Sequence, residues 1–436
     1  MKIALIGGGL MGLALARHLC SAGHSVAVFE REKQLGGLAT YHDYGPFYWD
    51  RFYHVILPSD THLIGFLRDI GLGEQLHWTK TRTGFYVDQT FYSMSSSMEF
   101  LLFPALPLWS KARLAATILY CARIDDWQRL EGITVEEWLR KTCGRRTFEK
   151  LWRPLLLAKL GEHYKRVSAV FIWSYIKRLH TARDSSAQKE TLGYVSGGYK
   201  TVFDRLQHMI GSAGGRILTD VAVKEIKTHP EGGLSVDYQG QSERFDKAVY
   251  TAPIGVLERT VSEDLFEVEK RGRGVEYLGV ICMVLVTRRP LVPYYVVNIA
   301  DDRIPFTGII GMSTLLAPDE TGGLHLTYLP KYVHSEDPIL RSSDEELRTQ
   351  FLDGLRVMLP EFREDDVLAV HINRAVKVQP LQVLNYSTLV PRVVTKHPDL
   401  FILNTSQFVN CTLNNNEVIR AVNDFLATSG ADLTAC

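Results

Sequence analysis

Three kinds of feature are missing from this 436-residue sequence, and each absence excludes a class of protein. The six cysteines are scattered, with no C-x-x-C pair and no regular spacing, so we expect no disulfide framework, no metal site and reduced thiols in a cytoplasmic protein. Basic and acidic residues number 49 each, with no long run of one sign, which argues against a nucleic-acid partner. No stretch reaches the roughly 18 uninterrupted apolar residues of a transmembrane helix.

Residues 100–121 come closest to a membrane segment, but Pro104, Pro107, Lys111 and Arg113 interrupt them. These four residues exclude a spanning helix, and they permit a loop and an amphipathic helix that dip into one face of a bilayer. We therefore expect peripheral membrane contact through 100–121, at the cytoplasmic face. The alternative is that the segment lines a substrate tunnel or the core.

The first 30 residues have the pattern of a strand, a helix and a second strand. Residues 2–6 form a short apolar run, 10–22 keep apolar residues at helical spacing, and 25–30 form a β-branched run. The apolar run behind Lys2 also resembles a signal peptide. The four glycines at positions 7–12 would break the helix of a signal, however, and they fall where a strand must turn tightly into a helix. The pattern predicts a βαβ unit.

Three of these glycines match the motif G-x-G-x-x-G in the context that the motif requires, after a strand and at the start of a helix. Gly7 allows the tight turn, Gly9 lets backbone N–H groups approach a pyrophosphate, and Gly12 lets the helix pack on the sheet. The helix begins at Leu10 and Met11, and its N-terminus offers partial positive charge to an anion. The motif predicts a dinucleotide-binding site.

The identity of the dinucleotide follows from two features after the motif. Glu30 ends the second strand, where its carboxylate can accept hydrogen bonds from a ribose diol and would repel a 2′-phosphate, which favours FAD or NAD over NADP. A second glycine pair, Gly36 and Gly37, comes soon after, followed by Leu38 and Ala39. A dehydrogenase that binds only NAD has no need of this pair, whereas the longer FAD would pass where side chains collide with it. We therefore predict FAD.

The glycine loop, Glu30-Arg31 and the Gly36-Gly37 pair make the chain resemble a superfamily: the flavin-containing amine oxidases, protoporphyrinogen oxidases and phytoene desaturases. The resemblance covers nearly the whole chain, and the fold of this superfamily is also similar to that of UDP-galactopyranose mutase. Its FAD domain is a Rossmann-type fold of the glutathione-reductase kind. A weaker part of the resemblance is the turn at 197–199 before a helix.

The resemblance implies further cofactor contacts. It implies that the backbone of Val223 meets the adenine, and that Thr251 and Ala252 belong to the strand that returns to the FAD domain. The superfamily usually has a Gly-Asp pair after its last strand, where this chain has Asn404 and Thr405, which can still hydrogen-bond the ribityl hydroxyls.

The last helix provides one more candidate. Asn416 lies where the helix would begin, so the helix N-terminus would face the pyrimidine edge of the flavin and stabilise negative charge on it. A simple N-cap cluster is the alternative.

The predicted fold class is α/β, with a Rossmann-type FAD-binding domain and a second, substrate domain of mixed antiparallel sheet with a helical insertion. The predicted FAD domain is discontinuous and the substrate domain fills the gaps between its parts. The FAD domain comprises 1–60, 197–255 and 395–436; the substrate domain comprises 61–196 and 256–394, of which 100–196 form the mostly helical insertion and 181–190 a polar loop.

Periodicity predicts the remaining elements. The predicted strands are 216–223, 234–238, 247–251, 275–288, 292–299, 306–312, 324–329, 367–378 and 400–403. The predicted helices are 112–122, 134–141 with Thr134 as its cap, 168–181, 345–358 and 416–428.

Candidates for substrate chemistry are fewer, because flavin oxidation needs chiefly that a C–H bond be aimed at the ring. Arg51 and His54 follow the second glycine pair, and His54 could orient substrate or move a proton; a structural histidine is the alternative. Lys377, with Arg374 and Gln379, lies on a late strand that faces the flavin in this superfamily, and the alternative is a solvated basic face.

A substrate cavity could be lined by the insertion. Trp173, Tyr175 and Arg178 have helical spacing there, which is also typical of core residues.

We therefore expect an FAD-dependent oxidoreductase: an oxidase, dehydrogenase or desaturase that takes a hydride from a small-molecule substrate. Oxygen, a quinone or another carrier would reoxidise the flavin. Two alternatives are a redox-neutral, flavin-dependent sugar-nucleotide mutase and a non-catalytic binding protein on the same fold.

Overall fold

The computed structural model describes residues 1–181, 191–257, 259–262, 265, 272 and 274–434. Residues 182–190, which make up most of the predicted polar loop, lie outside this range. The strands are, in chain order, β1 (Lys2–Ile6), β2 (Ser25–Phe29), β3 (Tyr41–Asp43), β4 (Tyr48–Asp50), β5 (Leu76–Lys80), β6 (Thr83–Val87), β7 (Thr90–Ser93), β8 (Thr191–Val195), β9 (Arg216–Leu218), β10 (Val223–Thr228), β11 (Leu234–Tyr238), β12 (Gln241–Phe245), β13 (Lys247–Tyr250), β14 (Tyr277–Thr287), β15 (Val296–Ala300), β16 (Gly308–Gly311), β17 (His325–His334), β18 (Val367–Pro380) and β19 (Leu400–Ile402).

The α-helices are, in chain order, α1 (Leu10–Ser21), α2 (Thr61–Asp69), α3 (Ser97–Leu102), α4 (Leu108–Ala122), α5 (Gln128–Glu131), α6 (Val135–Cys143), α7 (Arg145–Thr147), α8 (Arg153–Leu160), α9 (Ala169–Thr181), α10 (Gly198–Ser212), α11 (Ile254–Leu257), α12 (Asp344–Met358) and α13 (Asn415–Thr434). A π-helical turn, Phe148–Trp152, leads from α7 into α8. Within the described residues, no helix is both long enough and apolar enough to cross a bilayer.

The first sheet is parallel and has the strand order β19-β13-β1-β2-β9. Ile3 and Leu5 of β1 pack with side chains of α1, α10 and α13, whereas Ala4 and Ile6 face the antiparallel sheet β10-β11-β12. Because both faces are covered, β1 is apolar at successive positions instead of alternating. The carboxyl edge of such a sheet, beyond Ile6, is where open α/β folds bind ligands.

The second sheet has the order β18-β14-β17-β16-β15-β6-β7 and is antiparallel except for the β15–β6 pair. Its strand β14 is buried along its whole length. Ile281 and Met283 pack with the core beneath α12, while Cys282 and Val284 face a second core that contains Trp49. Strand β14 therefore separates two hydrophobic cores, and one of them reaches back to the segment after β4.

The helices from α3 to α9 form an insertion with its own hydrophobic core. Two of them begin with a capping box, Ser96 with Glu99 at α3 and Thr134 with Glu137 at α6. The second confirms the predicted cap, Thr134. Trp173 of α9 is buried and donates a hydrogen bond from Nε1 to the carbonyl of Cys121, at 3.0 Å. It is therefore a core residue, whereas Tyr175, two residues later and on a different face of α9, keeps part of its surface uncovered.

The predicted α/β fold class is confirmed, but the predicted strand 216–223 is wrong. This range contains β9, a connection at 219–222 and only the first residue of β10, and the two strands belong to different sheets. Between them Asp220 adopts a φ of +59°, and the amides of Asp220 and Val221 donate to the carbonyls of Glu32 and Glu30. These long-range hydrogen bonds end β9 early and turn the chain, which no local pattern of apolar residues indicates.

Candidate functional site

The turn from β1 into α1 lies at the carboxyl edge of the parallel sheet and is held by Thr251. Gly7 has a φ of +122°, which favours glycine. A Cβ on Gly12 would lie 2.1 Å from the Gly7 carbonyl oxygen, so only glycine lets the helix pack this close. The Thr251 hydroxyl contacts the carbonyl oxygens of Ile6 and Gly7 at 3.0 and 3.2 Å, and the amide of Ala252 donates to Ile6. These two predicted residues thus lie beside the motif.

The two glycine loops touch each other. Gly9 and Gly36 form an isolated β-bridge, and a Cβ on Gly37 would lie 3.3 Å from the Cα of Gly9. Gly9 caps α1 without a side-chain hydrogen bond, so the first N–H groups of the helix, at Leu10 and Met11, have no capping side chain. The loops therefore combine a helix N-terminus with a surface free of side chains, which suits a pyrophosphate.

Glu30 is fixed by two backbone amides. Its Oε2 accepts from Gly8 at 2.7 Å and its Oε1 from Glu32 at 2.8 Å. Each carboxylate oxygen keeps a second lone-pair direction, which leaves room for the hydroxyls of a ribose. Arg31 is exposed and pairs with Glu32.

The other predicted contacts lie around this position. Val223 begins β10, pairs with Tyr238 of β11, and lies two residues after Val221, whose amide donates to the Glu30 carbonyl. Leu38 and Ala39 belong to a 3-10 turn, Gly37–Ala39, in which Ala39 is buried and Leu38 half-buried.

Asn404 carries a buried donor without an acceptor. The amide of Leu403 donates to Tyr250, which places Asn404 beside the end of β13 and near Thr251. Asn404 is 2% exposed; its Oδ1 accepts from the amide and hydroxyl of Ser406, while its Nδ2 has no hydrogen-bond partner among the described residues. An unsatisfied buried donor destabilises a protein by about 1–3 kcal/mol, so an oxygen-rich ligand at this edge fits the site. Thr405 follows in a 3-10 turn.

The asparagines at the start of α13 include its N-cap. The cap is Asn414, whose Oδ1 accepts from the amide of Glu417 at 3.0 Å. Asn416 is buried, and its Oδ1 accepts from the amide of Leu63 at the start of α2, so its side chain joins two helices. A role for Asn416 towards flavin stays a prediction, and its side-chain oxygen is already used within the protein.

Arg51 and His54 make different contacts. His54 Nδ1 lies 3.5 Å from Oδ2 of the buried Asp50, and its ring packs against Tyr199. The other carboxylate oxygen of Asp50 accepts from the amide of Tyr199, so this group holds the start of α10. The charge of Arg51 acts on His42, whose pKa is lowered by burial, by His371 and by Arg51. The Nε of Arg51 is buried with no partner in the described part of the chain.

The polar side chains of the late strand β18 contact different neighbouring elements. Arg374 pairs with Asp344 and donates to the carbonyl of Ser342 at the start of α12, so it faces the outer helix. Lys377 lies beside α11, with its Nζ 2.2 Å from where a Cβ on Gly255 would stand. Neither of these contacts involves Arg51 or His54.

A group of tyrosines that we did not predict as a unit lies between the antiparallel sheet and the insertion. The hydroxyls of Tyr53 and Tyr332 are 2.8 Å apart, and burial raises the pKa of both groups and of Tyr175. A hydrogen bond with Gln379 acts in the opposite direction on Tyr175. All three tyrosines lie deep in the protein yet keep part of their surface uncovered, and from this we infer an internal space beside them.

One signal in the sequence could have led to this space. Lys159 is the lone charge in the run from 154 to 160, PLLLAKL, and a single lysine in an apolar helix is usually either snorkelling or functional. Its Nζ lies 3.2 Å from the ring centroid of Tyr332.

Metal chemistry has no support in the described residues, where no group of three or more His, Cys, Asp or Glu side chains could hold an ion.

Comparisons with known proteins agree with this geometry. A family model described as flavin containing amine oxidoreductase matches residues 10–379 of this chain. Among curated proteins, the 15-cis-phytoene desaturase of Narcissus pseudonarcissus is 20% identical over 298 residues, which cover 62% of this chain and 50% of that protein. The chain spans half or less of the length of such curated relatives.

Solved structures match over nearly the whole chain. An oxidoreductase from Methanosarcina mazei has a TM-score of 0.74 at 20% identity, covering 98% of this chain and 100% of that chain. Cyclohexylamine oxidase from Brevibacterium oxydans IH-35A has a TM-score of 0.75 at 16% identity, covering 99% of each chain. At these identities the similarity establishes the fold.

Proposed function

This chain belongs to the flavin-containing amine oxidoreductase family, a family of FAD-dependent oxidoreductases, and from that premise we propose that it oxidises a small-molecule substrate with FAD as the hydride acceptor. The observation that carries the proposal is the meeting of three partial sites at one sheet edge. These are the paired glycine loops, the carboxylate of Glu30 and the unsatisfied donor of Asn404. Bound FAD supplies the redox chemistry; the protein supplies position, electrostatics and exclusion of water.

We assign the cofactor contacts to individual residues. The backbone at Gly9, Leu10 and Met11 would hold the pyrophosphate, with Gly7 and Gly12 shaping the turn and Gly36 and Gly37 giving clearance. Glu30 would bind the ribose of the adenosine, the backbone of Val223 the adenine, and Asn404 with Thr405 the ribityl chain.

The remaining predicted residues have secondary roles in this proposal. Thr251 and Ala252 hold the glycine loop in place. Arg51, His54 and Lys377 remain our candidates for substrate chemistry, and the buried, unpartnered Nε of Arg51 makes it the first of them to test. Oxygen, a quinone or another carrier would then take the electrons.

Replacement of Gly9 by alanine tests the cofactor site. A Cβ there would meet the Cα of Gly37 at 3.9 Å and the carbonyl oxygen of Gly36 at 4.0 Å, which are ordinary contacts, so the protein itself tolerates the methyl group. We expect Gly9→Ala to weaken FAD binding at least about tenfold, because the methyl group occupies the path of the pyrophosphate. Equilibrium titration of flavin-stripped protein measures the effect.

The control is Gly65→Ala, since a Cβ on Gly65 in α2 meets no atom within 4 Å. Equal FAD affinity in both variants, or wild-type protein that binds no FAD, would contradict the proposed function. Product formed only after prior reduction of the flavin would instead support the redox-neutral mutase.

We further propose that α3 and α4 rest on an anionic bilayer. Within the described residues, seven of the 15 exposed large apolar side chains lie in this short segment. They form what we call the α3–α4 patch: Met98, Leu101, Leu102, Leu108, Trp109, Leu119 and Tyr120. Trp109 is 79% exposed, and exposed aromatic and aliphatic residues in one patch are typical of membrane interfaces.

Charge supports a bilayer as the occupant. Lys111, Arg113 and Arg123 fall within 100–124, and the sequence has no Asp or Glu in that range. Arg113 and Arg123 are exposed, whereas Lys111 is buried under the patch and donates to the carbonyl of Leu101, so the two arginines are the side chains that anionic lipid can reach. Basic residues near a cytoplasmic membrane surface contribute about 1 kcal/mol each to binding of anionic lipid.

Vesicle co-sedimentation tests this contact. We expect binding to vesicles of phosphatidylcholine with phosphatidylglycerol, weaker binding to phosphatidylcholine alone, and at least about tenfold weaker binding of Leu102→Ser/Leu108→Ser, because two exposed apolar anchors are lost. The control is Val357→Ser/Leu368→Ser, which removes two exposed apolar side chains outside the patch. Equal binding by the two double variants would rule out the patch as the membrane contact.

A further inference from the structure

The internal space contains the amine of a lysine side chain that has no counter-ion among the described residues. Lys159 lies on α8 and extends over the ring of Tyr332, with its Nζ 3.2 Å from the ring centroid. Burial alone lowers the pKa of this amine to about 7. Within the described residues no carboxylate contributes to that pKa, so the ammonium form has only the tyrosine ring as an electrostatic partner.

The neighbouring charged groups are engaged elsewhere. On the elements next to Lys159, Arg153 interacts with Tyr164 and Glu149, and Glu162 pairs with Lys165 at the surface. Directly after β15, Asp301 pairs with Arg303, and on β17 Lys331 donates from Nζ to the carbonyl of Pro305 at 2.8 Å. None of these groups is directed at Lys159.

The tyrosine pair beside Lys159 has a spare hydrogen-bond donor. The hydroxyls of Tyr53 and Tyr332 are 2.8 Å apart, so one of them donates to the other. The hydroxyl that accepts keeps its own proton, which is free to bind another acceptor. A buried amine and a phenolic donor in one space complement an anionic oxygen group, which would supply the charge that the protein does not.

We propose that Lys159, with Tyr332 and Tyr53, forms a subsite that binds a carboxylate group of the substrate. The inference rests on the proposed function, because it assigns this space to the substrate of the flavin site. Lys159 is a binding residue in this proposal, and the chemistry of the flavin is unaffected by it. The substrate class that follows is an organic acid whose remaining part lies along Tyr175.

Binding of such an acid must be linked to proton uptake. At pH 8 the amine is mostly neutral, since its pKa is about 7, and a carboxylate bound as an ion pair restores the ammonium form. We therefore expect uptake of about one proton per ligand at pH 8 and close to none at pH 6. Titration calorimetry of the holoenzyme in buffers of different ionisation enthalpy measures this number with no need for turnover.

The probes are phenylacetate and its neutral analogue 2-phenylethanol. We expect phenylacetate to bind at least tenfold more tightly than the alcohol, and Lys159→Met to lose that preference. Lys159→Arg should retain it without proton uptake, because arginine is always charged. Lys331→Met is the matched control, since it removes another largely buried lysine, and it should behave as the wild type.

Three results would overturn the subsite: no binding of phenylacetate, equal binding by Lys159→Met, or no proton uptake at pH 8. Failure of the proposed function looks different, since the visible absorbance of the same preparation reports bound flavin before any probe is added. Colourless protein contradicts FAD binding, whereas yellow protein without a preference for the acid contradicts only the subsite.

Discussion

The parallel sheet and the antiparallel sheet present ligand-binding groups of different kinds. At the edge of the parallel sheet these groups are mainly backbone atoms of two glycine loops, joined by Glu30 and Asn404. Above the antiparallel sheet they are side-chain groups, the hydroxyls of Tyr53 and Tyr332 and the amine of Lys159. Recognition by backbone atoms suits a cofactor whose shape is constant. Recognition by side chains allows a single substitution to change which ligand is bound. We therefore expect changes in the first region to alter flavin retention and changes in the second to alter substrate binding alone.

The largest effect should come from Gly12→Ala, which breaks the first region at its backbone. The new Cβ would stand 2.1 Å from the Gly7 carbonyl oxygen, so the loop and α1 must separate. We expect a loss of about 3–5 kcal/mol of unfolding free energy together with loss of FAD. Urea unfolding followed by circular dichroism measures the first, and absorbance of the purified protein the second.

Gly65→Ala serves as the reference here too, because its Cβ meets open space within α2. Alanine there should stabilise the protein by up to about 1 kcal/mol. A Gly12→Ala protein with wild-type stability and colour would show that the loop does not depend on the close packing of α1.

An intermediate effect is expected for Asn404→Ala, which removes the unsatisfied donor. We expect FAD to bind about tenfold more weakly, corresponding to roughly 1.4 kcal/mol, because one hydrogen bond to the cofactor is lost. Fluorescence titration of the flavin-stripped protein measures the affinity. Ser406→Ala removes a partner of Asn404 Oδ1 and leaves Nδ2 in place, so it should retain the affinity. If both variants bind FAD equally, the Asn404 donor has no part in retention.

The smallest effect should come from Tyr53→Phe, which tests whether the two regions are independent. Loss of the hydroxyl pair with Tyr332 should lower the unfolding free energy by about 0.5–1.5 kcal/mol and leave FAD affinity unchanged. The same titration and urea unfolding measure both quantities. The control is Tyr44→Phe, which removes a hydroxyl that donates to the Asp50 carbonyl. A drop in FAD affinity specific to Tyr53→Phe would mean that the two regions are coupled.

The cofactor region could be predicted from the sequence because its requirements are local. Gly7, Gly9 and Gly12 belong to one turn, and Glu30 follows the next strand, so their spacing alone indicates a dinucleotide, and the nearby Gly36-Gly37 pair favours FAD. The division of the predicted strand 216–223 could not be predicted, since it depends on hydrogen bonds from Asp220 and Val221 to a segment nearly 190 residues away.

The substrate region could not be predicted as a unit, because its members come from distant parts of the chain. Tyr53, Lys159, Tyr175 and Tyr332 meet only once α8 and α9 pack on the antiparallel sheet. Arg374 was expected near the active site because of its place on β18. Side chains alternate between the two faces of a strand, however, and the guanidinium of Arg374 pairs with Asp344.

The bridge between Gly9 and Gly36 has a consequence for how quickly the cofactor is acquired and lost. Protein atoms alone join the two loops, so little backbone entropy remains to be lost when a dinucleotide arrives. Binding of FAD to the flavin-free protein should then be a simple bimolecular step, and residence time should depend on contacts made by the ligand itself. Stopped-flow mixing with FAD would show a single phase proportional to concentration, with no slower ordering step after it.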